Sequence, residues 1–330
     1  MLRIFHNTNY DFIRWWKWAL GLTLAFLLLG LFSFMQAPLN RSIEFTGGTM
    51  MQLEFQRPPD VASLRSRLEA AGVRGTEIIQ FGSDREYLVR AQESRQVAAQ
   101  DTAAGTVARD INQVLATSYG ANDVKVMRTE AVSPRVGDEL TRKAFIALII
   151  SFIITLVYLA IRFEWRMGLA AVVATAHDFV ATLAFMKLMN LEVSLMVVAG
   201  LLTVIGYSMN DTVIIFDRLR EDLRKKRNES LYETINRSIN ETLPRSIITH
   251  SLSLTSVLAL LVLGGEVIRP FAWVMGFGIF TGTFSSMYVA APILIWIERK
   301  WPRRVAGISR GSSTATRTSP TRRSTATAAR

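Results

Sequence analysis

The chain has 330 residues, half of them hydrophobic, with a formal net charge of +11, three histidines and no cysteine. Disulfides, thiolate metal sites and cysteine nucleophiles are therefore excluded, the histidines lack metal-ligand spacing, and no glycine-rich nucleotide loop is present. The apolar residues come in blocks and the excess positive charge lies between alternate blocks, a distribution that a soluble nucleic-acid binder of equal charge would not show.

Six blocks approach the roughly 20 residues that cross the hydrocarbon core of a bilayer. They are Trp18–Met35, Ala144–Ile161, Met167–Met186, Val193–Phe216, Ser246–Gly264 and Phe271–Ile297. Trp15, Trp16, Lys17 and Trp18 form an aromatic and basic collar on the first, suited to a headgroup boundary. With no Ala-x-Ala cleavage site, that block reads as a retained anchor. The N-terminal segment carries +2, the 162–166 turn +1, the 217–245 loop +2 and the 298–330 tail +8, whereas 37–143, 187–192 and 265–270 are each neutral. By the positive-inside rule both termini and the 217–245 loop are cytoplasmic. The expected organisation is residues 1–36 as N-terminus and first span, and 37–143 as an external domain. Residues 144–298 supply spans two to six, and 299–330 a disordered basic tail.

Within 37–143, Ile43–Phe55 alternates like a strand interrupted by Gly47-Gly48. Asp60 caps a predicted helix with Val61, Leu64, Leu68 and Ala71 on one face and Gly72 as its stop. Glu77–Phe81 and Glu86–Arg90 flank Gly82-Ser83-Asp84 as a hairpin. A second helix follows, with Val107, Ile111, Val114 and Leu115 along one face and Gly120 as its stop. Asn122–Arg128 is the last strand. The β-α-β-β-α-β order is that of a ferredoxin-like unit. No nucleophile–base pair stands out in it, so it reads as a scaffold.

On the cytoplasmic side, Asp217 and Arg218 read as a helix-end pair, and Glu221 and Lys225 stand one helical turn apart. Ser230-Leu-Tyr-Glu233 is a capping box opening a short surface helix striped by Leu231, Ile235 and Ile239. Pro244 is expected to start the fifth span anew. Gly278-x-x-x-Gly282 in the sixth is a helix-packing motif.

Ionisable residues inside the spans carry the functional reading. Between Glu192 and Asp217 the only formal charge is Asp211, and a carboxylate there costs roughly 2.5–3.5 kcal/mol even on the lenient insertion scale. Gly200, Thr203, Tyr207, Asn210, Asp211 and Ile214 recur at three- and four-residue steps, a stripe suited to facing other helices. Thr175, Asp178 and Thr182 do the same on the third span, so both aspartates are expected to face a common interior. Burial and a neighbouring guanidinium shift a carboxyl pKa in opposite directions. An aspartate with a removable Arg partner, here Asp211 with Arg245, can therefore load and release a proton. Asp178, beside His177, is read either as a second relay group or as a buried hydrogen-bonding acid. His250 is either a packing histidine or a relay member.

At these residues the chain resembles the SecD/SecF family. Ile43-Glu-Phe-Thr-Gly-Gly48 matches its Phe-x-Gly-Gly signature, and Gly206-Tyr-Ser-Met-Asn-Asp-Thr-Val-Ile-Ile-Phe-Asp-Arg218 its fourth-span motif. Asn9-Tyr-Asp-Phe12, His177-Asp178 and Leu243-Pro-Arg-Ser-Ile-Ile-Thr249 fit at their expected places. The resemblance covers roughly residues 5–300. It implies a six-span half of the RND transporter superfamily, with an external ferredoxin-like domain, in the bacterial inner membrane. The implied role is to draw on the proton gradient for late-stage protein export, without a cofactor. The implied partners are a SecD-like subunit, the SecYEG translocon with YajC as an accessory, the translocating preprotein and membrane lipid, and not nucleic acid. The family's proton-path aspartate and arginine fall on Asp211 and Arg245. Two features depart from it. Arg245-Ser246 and Thr249-His250 stand where the family has Arg-Thr and Thr-Ser, and the basic Ser/Thr tail is outside the pattern. Competing readings are a passive translocon scaffold, half of an RND lipid or drug exporter, and an intramembrane aspartyl protease using Asp178 and Asp211. The last lacks the Gly-x-Gly-Asp signature, because Ser208-Met209-Asn210 precedes Asp211.

Overall fold

A computed structural model describes residues 8–73, 75–91, 104–119, 123–225 and 229–302. The expected stop at Gly120 and the tail beyond Pro302 lie outside the described residues. Among those described, six helical segments are long and apolar enough to cross a membrane: Ile13–Gln36, Pro134–Arg162, Trp165–Leu188, Leu195–Arg224, Leu231–Leu263 and Gly265–Lys300. The last reaches Lys300, so the sixth span runs past the expected start of the tail.

The first span, α1 (Trp16–Gln36), is apolar around its whole circumference and leaves Leu22, Leu29, Phe32 and Met35 exposed, as lipid contact requires. It touches the bundle through Gly30, where an added Cβ would sit 2.4 Å from Ala184 Cβ. The chain then enters the α+β domain through α2 (Ile43–Thr46), a single helical turn in place of the expected strand start. Gly47 N–H donates to Ile43 O at 2.8 Å and Thr46 Oγ1 to Ser42 O at 3.1 Å, which closes the turn. Gly47, at φ 73°, then reverses the chain.

The strand proper is β1 (Gly48–Phe55), followed by α3 (Val61–Ala70), β2 (Glu77–Gln80), β3 (Glu86–Ala91), α4 (Ala104–Ser118) and β4 (Val124–Val132). The sheet order β2-β3-β1-β4, all antiparallel, is the ferredoxin-like order. Ala62 N–H donates to Asp60 Oδ1 at 3.1 Å, the expected N-cap. Alternate strand residues Met51, Leu53, Tyr87 and Val89 meet Leu64, Leu68, Ile111 and Leu115 from the helices in one core. Each fully buried leucine there is worth roughly 1.5–3 kcal/mol over its exposed state.

Entering and leaving strands lie side by side, with Gly48 opposite Val132. The chain continues at once into α5 (Pro134–Arg162), so the second span begins as a helix well before Ala144. The two crossing segments touch backbone to backbone. A Cβ on Gly47 would lie 2.6 Å from Pro134 Cα, and one on Gly137 3.0 Å from Phe45 O. The domain also rests on the turn between α6 (Trp165–Leu188) and α7 (Leu195–Arg224). There Arg90 pairs with Glu192, and Leu195 N–H donates to the Glu44 carboxylate at 2.6 Å.

The bundle core lies among α6, α7, α8 (Leu231–Leu263) and α9 (Gly265–Ser285). Gly278 and Gly282 let α9 approach α7: their added Cβ atoms would fall 2.2 Å from Val204 Cγ2 and 3.0 Å from Ser208 Cα. A π turn at Ser286–Ala290 joins α9 to α10 (Ala291–Lys300), just before Pro292, which has no N–H to donate.

The fifth span departs from expectation. The capping box at Ser230 and Glu233 forms, but it opens one helix that runs through Pro244 to Leu263. Ile235 and Ile239 are fully buried in the bundle core and Leu243 nearly so, so this half is internal, not a surface helix. Packing on either side outweighs the one backbone bond that Pro244 removes.

Candidate functional site

The face of α7 that turns inward carries Ser208, Asp211, Thr212 and Ile215, at steps of three and four, and all are buried. Asp211 is 1% exposed. Its carboxylate is held on one side only. Ser246 Oγ, from α8, donates to Asp211 Oδ1 at 3.1 Å. The other oxygen, Oδ2, faces His250 Nδ1 at 3.3 Å, and among the described residues neither atom has a hydrogen-bond partner. Ser246 and His250 are one turn apart on α8, so a single helix face addresses both oxygens. The His250 ring lies edge-on to Tyr207 with centroids 5.4 Å apart, and Tyr207 OH donates to Ser253 Oγ at 2.7 Å.

Arg245 is exposed, and among the described residues no carboxylate lies within 4.0 Å of it. The expected direct ion pair with Asp211 is thus not formed. His250 occupies that place, because it sits one turn deeper in the bundle than Arg245.

Asp178 is also wholly buried, but its carboxylate is fully occupied. His177 Nδ1 donates to Oδ1 at 2.8 Å, while Ser208 Oγ and Ser285 Oγ both donate to Oδ2 at 2.5 Å. These donors tie α6, α7 and α9 together at one point. Thr212 and Ser286 share a further hydrogen bond of 2.8 Å beside it. Among the described residues no hydrogen bond joins the two carboxylates directly. Ser208, one turn before Asp211, is the closest link between them. Thr175 and Thr182 are buried, but their hydroxyls bond their own helix, to Ala171 O and Asp178 O. His177 Nε2 has no partner.

The remaining residues singled out by sequence are dispersed. Asn210, Gly206 and Thr203 lie on the exposed side of α7, and an added Cβ on Gly206 would meet nothing within 4 Å. The expected interhelical stripe therefore splits. Gly200 packs against Phe271, Asp211 faces inward and Tyr207 meets α8, while Thr203, Gly206 and Asn210 look out of the chain. Asp217 and Arg218 do not pair with each other. Asp217 is bonded to Arg162 at the end of α5, and Arg218 to Glu221 and Glu241. Gly47 and Gly48 belong to the domain joint, far along the chain from this chemistry. The serines that hold the two carboxylates were not singled out as their partners, although Ser285 and Ser286, with Thr281 and Thr283, form a run of hydroxyls inside an apolar span, a legible signal.

Residues 111–300 match the family described as protein export membrane protein SecD/SecF, C-terminal, and residues 32–59 match the SecD/SecF GG motif. The chain is 56% identical over 305 residues to the protein translocase subunit SecF of Gemmatimonas aurantiaca, covering 92% of this chain and 91% of that one. It is 35% identical over 291 residues to SecF of Escherichia coli O157:H7, covering 88% of each. Among solved structures it is similar to SecDF of Thermus thermophilus, a translocon-associated membrane protein, with TM-score 0.77 and 34% identity. That match covers 89% of this chain and 39% of the longer SecDF chain. SecDF in a super-membrane-facing form matches at TM-score 0.64 and 33% identity, over 89% of this chain and 40% of that one.

Proposed function

The chain belongs to the SecD/SecF family of protein export membrane proteins, and from that premise we propose that it is the SecF-type half of a proton-driven export motor centred on Asp211. The observation that carries this reading is the half-held Asp211 carboxylate. One oxygen is positioned by Ser246 and the other is left facing an unpartnered histidine nitrogen. A group held this way can gain or lose a proton without dismantling a hydrogen-bond network. His250 stands where the family has a hydroxyl, and it is the residue to which a proton on Oδ2 would pass. Arg245, at the edge, supplies a mobile positive charge. One charge crossing 100 mV releases about 2.3 kcal/mol, enough to shift a two-state element by nearly fifty-fold.

The scaffold reading draws on Asp178, whose three donors make it a structural clasp. Both roles coexist in one bundle, with Asp178 fixing the helices and Asp211 carrying the proton. The same contrast opposes a protease dyad, which needs two carboxylates sharing one proton.

The partner is a SecD-like subunit, with the SecYEG translocon and the translocating chain beyond it. Support comes from the outward face of α7, where Thr203, Gly206 and Asn210 would otherwise meet lipid, and from exposed Ser251, Thr255 and Ser256 on α8. Polar and small residues on a membrane helix mark a helix–helix contact. Gly206→Leu tests this, because a Cβ added there meets nothing within 4 Å among the described residues. The variant should reach the membrane at normal levels and lose about tenfold in co-purified SecD-like partner, the effect of overpacking one contact by 1–3 kcal/mol. Unchanged co-purification would place the interface elsewhere.

The orientation follows the charge split, with the external domain on the far side from the 217–245 loop in the inner membrane. The cysteine-free chain makes this directly measurable. In intact cells, exposed Asp84→Cys should react with a membrane-impermeant maleimide and exposed Arg224→Cys should react only after the cells are opened. Equal labelling of both in intact cells would refute six spans in this orientation.

A further inference from the structure

Where α7 and α8 leave the membrane at the 217–245 end, they enclose a cavity of about 610 Å³. Its walls include Ile214, Asp217, Thr242 and Arg245, with Thr8 and Asn240 closing one side and the Arg218, Glu221 and Glu241 ion cluster at its rim. Ile214 lies one turn along α7 from Asp211, and Thr242 one turn along α8 from Ser246, so the cavity floor is about 5 Å of helix axis from the half-held carboxylate. At about 30 Å³ per molecule it has room for water in quantity.

The N-terminal segment reaches the cavity through Thr8, and its backbone beyond Thr8 is held by side chains of α8. Its backbone is clasped by two side-chain amides one turn apart on α8. Tyr10 N–H donates to Asn240 Oδ1 at 2.8 Å, and Asn240 Nδ2 and Asn236 Nδ2 both donate to Tyr10 O at 2.8 Å. Phe12 N–H donates to Asn236 Oδ1 at 3.0 Å, and Tyr232 OH to Asp11 Oδ1 at 2.5 Å. The amides thus stand in for a neighbouring strand, a clasp that holds the backbone and is indifferent to the side chains. Asn240 both holds the segment and lines the cavity. Thr8 lines the same region, and its buried Oγ1 has no hydrogen-bond partner among the described residues.

We infer that this cavity is the aqueous mouth through which Asp211 exchanges protons with the 217–245 side, and that the clasped segment Thr8–Phe12 is its removable wall. The inference rests on the proposed proton path, but its test reads water access, which stands or falls apart from export. Single-cysteine variants of the cysteine-free chain, paired with the SecD-like subunit in membrane vesicles, are exposed to a membrane-impermeant cationic methanethiosulfonate. Ile214→Cys, reached from the 217–245 side, should react more than about tenfold faster than lipid-facing Leu258→Cys, since only a hydrated thiol ionises. Adding Asn236→Ala and Asn240→Ala removes four hydrogen bonds to the segment and should speed Ile214→Cys labelling by at least about fivefold, the shift expected from a single net bond. Asn240→Asp, which keeps the acceptor for Tyr10 N–H and loses the donor, should give the same direction if the double variant does not assemble. Labelling of Ile214→Cys no faster than Leu258→Cys overturns the mouth. A rate unmoved by both the amide pair and Asn240→Asp overturns the segment's role as its wall.

Discussion

Asp211→Asn should assemble normally with the SecD-like subunit and abolish the response of protein export to an imposed proton gradient. Asparagine has nearly the same volume, and its carbonyl oxygen can still accept from Ser246 at the position of Oδ1. Its amide nitrogen would take the place of Oδ2 and donate towards His250 Nδ1, now 3.3 Å from that position. The pocket therefore stays filled and gains a bond while losing its titratable proton. The expected result in vesicles is that ATP-driven translocation continues at its basal rate while the gradient-dependent increment falls by at least about 100-fold, as for loss of a proton-transfer group. Arg245→Lys should retain part of the increment, because it keeps the charge and no fork-like ion pair is made here. Should Asp211→Asn respond to the gradient as the wild type does, the motor reading fails and the scaffold reading replaces it.

Asp178→Leu should have the opposite signature, loss of the folded bundle. Removing this carboxylate strands Ser208 Oγ and His177 Nδ1, each donor costing about 1–3 kcal/mol, and leaves Ser285 Oγ only its bond to Gly282 O. Breaking a buried charged cluster by deleting one member typically costs about 3–5 kcal/mol, a large part of a domain's net stability. The measured outcome should be a sharply reduced membrane level and a lower unfolding temperature in detergent. Asp178→Asn, which keeps one acceptor, should be much milder on both and leave most gradient response in place. A stable Asp178→Leu protein without gradient response would move Asp178 from clasp to relay.

The elements were legible wherever local periodicity dominates. The spans, the Asp60 and Ser230 caps, the hairpin at Gly82 and the β-α-β-β-α-β order all follow from patterns over a few residues. The misreadings arise where tertiary contacts override a local signal. Ile43–Thr46 alternates like a strand yet forms a helical turn, because its backbone is satisfied within four residues before Gly47 reverses the chain. Pro244 reads as a helix start, yet α8 runs through it, since Ile235 and Ile239 before it are buried in the bundle core and Ser246 after it bonds Asp211. At the site, the buried acids were visible as charges in apolar runs. Their hydroxyl partners were not, because a serine in a membrane helix is as often a packing residue as a donor. Which of two acids is fully bonded is a property of three helices meeting, and no single helix carries it.

The crossing at Gly47, Pro134 and Gly137 bears on how the two halves of the molecule move together. The α+β domain has both its ends in one knot of touching backbone, a pivot, and a second support on the α6–α7 turn, where Arg90 meets Glu192 and Leu195 meets Glu44. A rocking of α5 at the pivot relative to α6 and α7 would therefore turn the sheet, as an arm, against that second support. The eight-residue β1 springs directly from that pivot and extends roughly 26 Å at about 3.3 Å per residue. A tilt of about 10° at the pivot therefore sweeps the strand's far end through roughly 4–5 Å, close to the rise of one helical turn. The arm is geared to deliver displacement, and the glycines are its bearing surface, since any side chain at Gly47 or Gly137 would jam it.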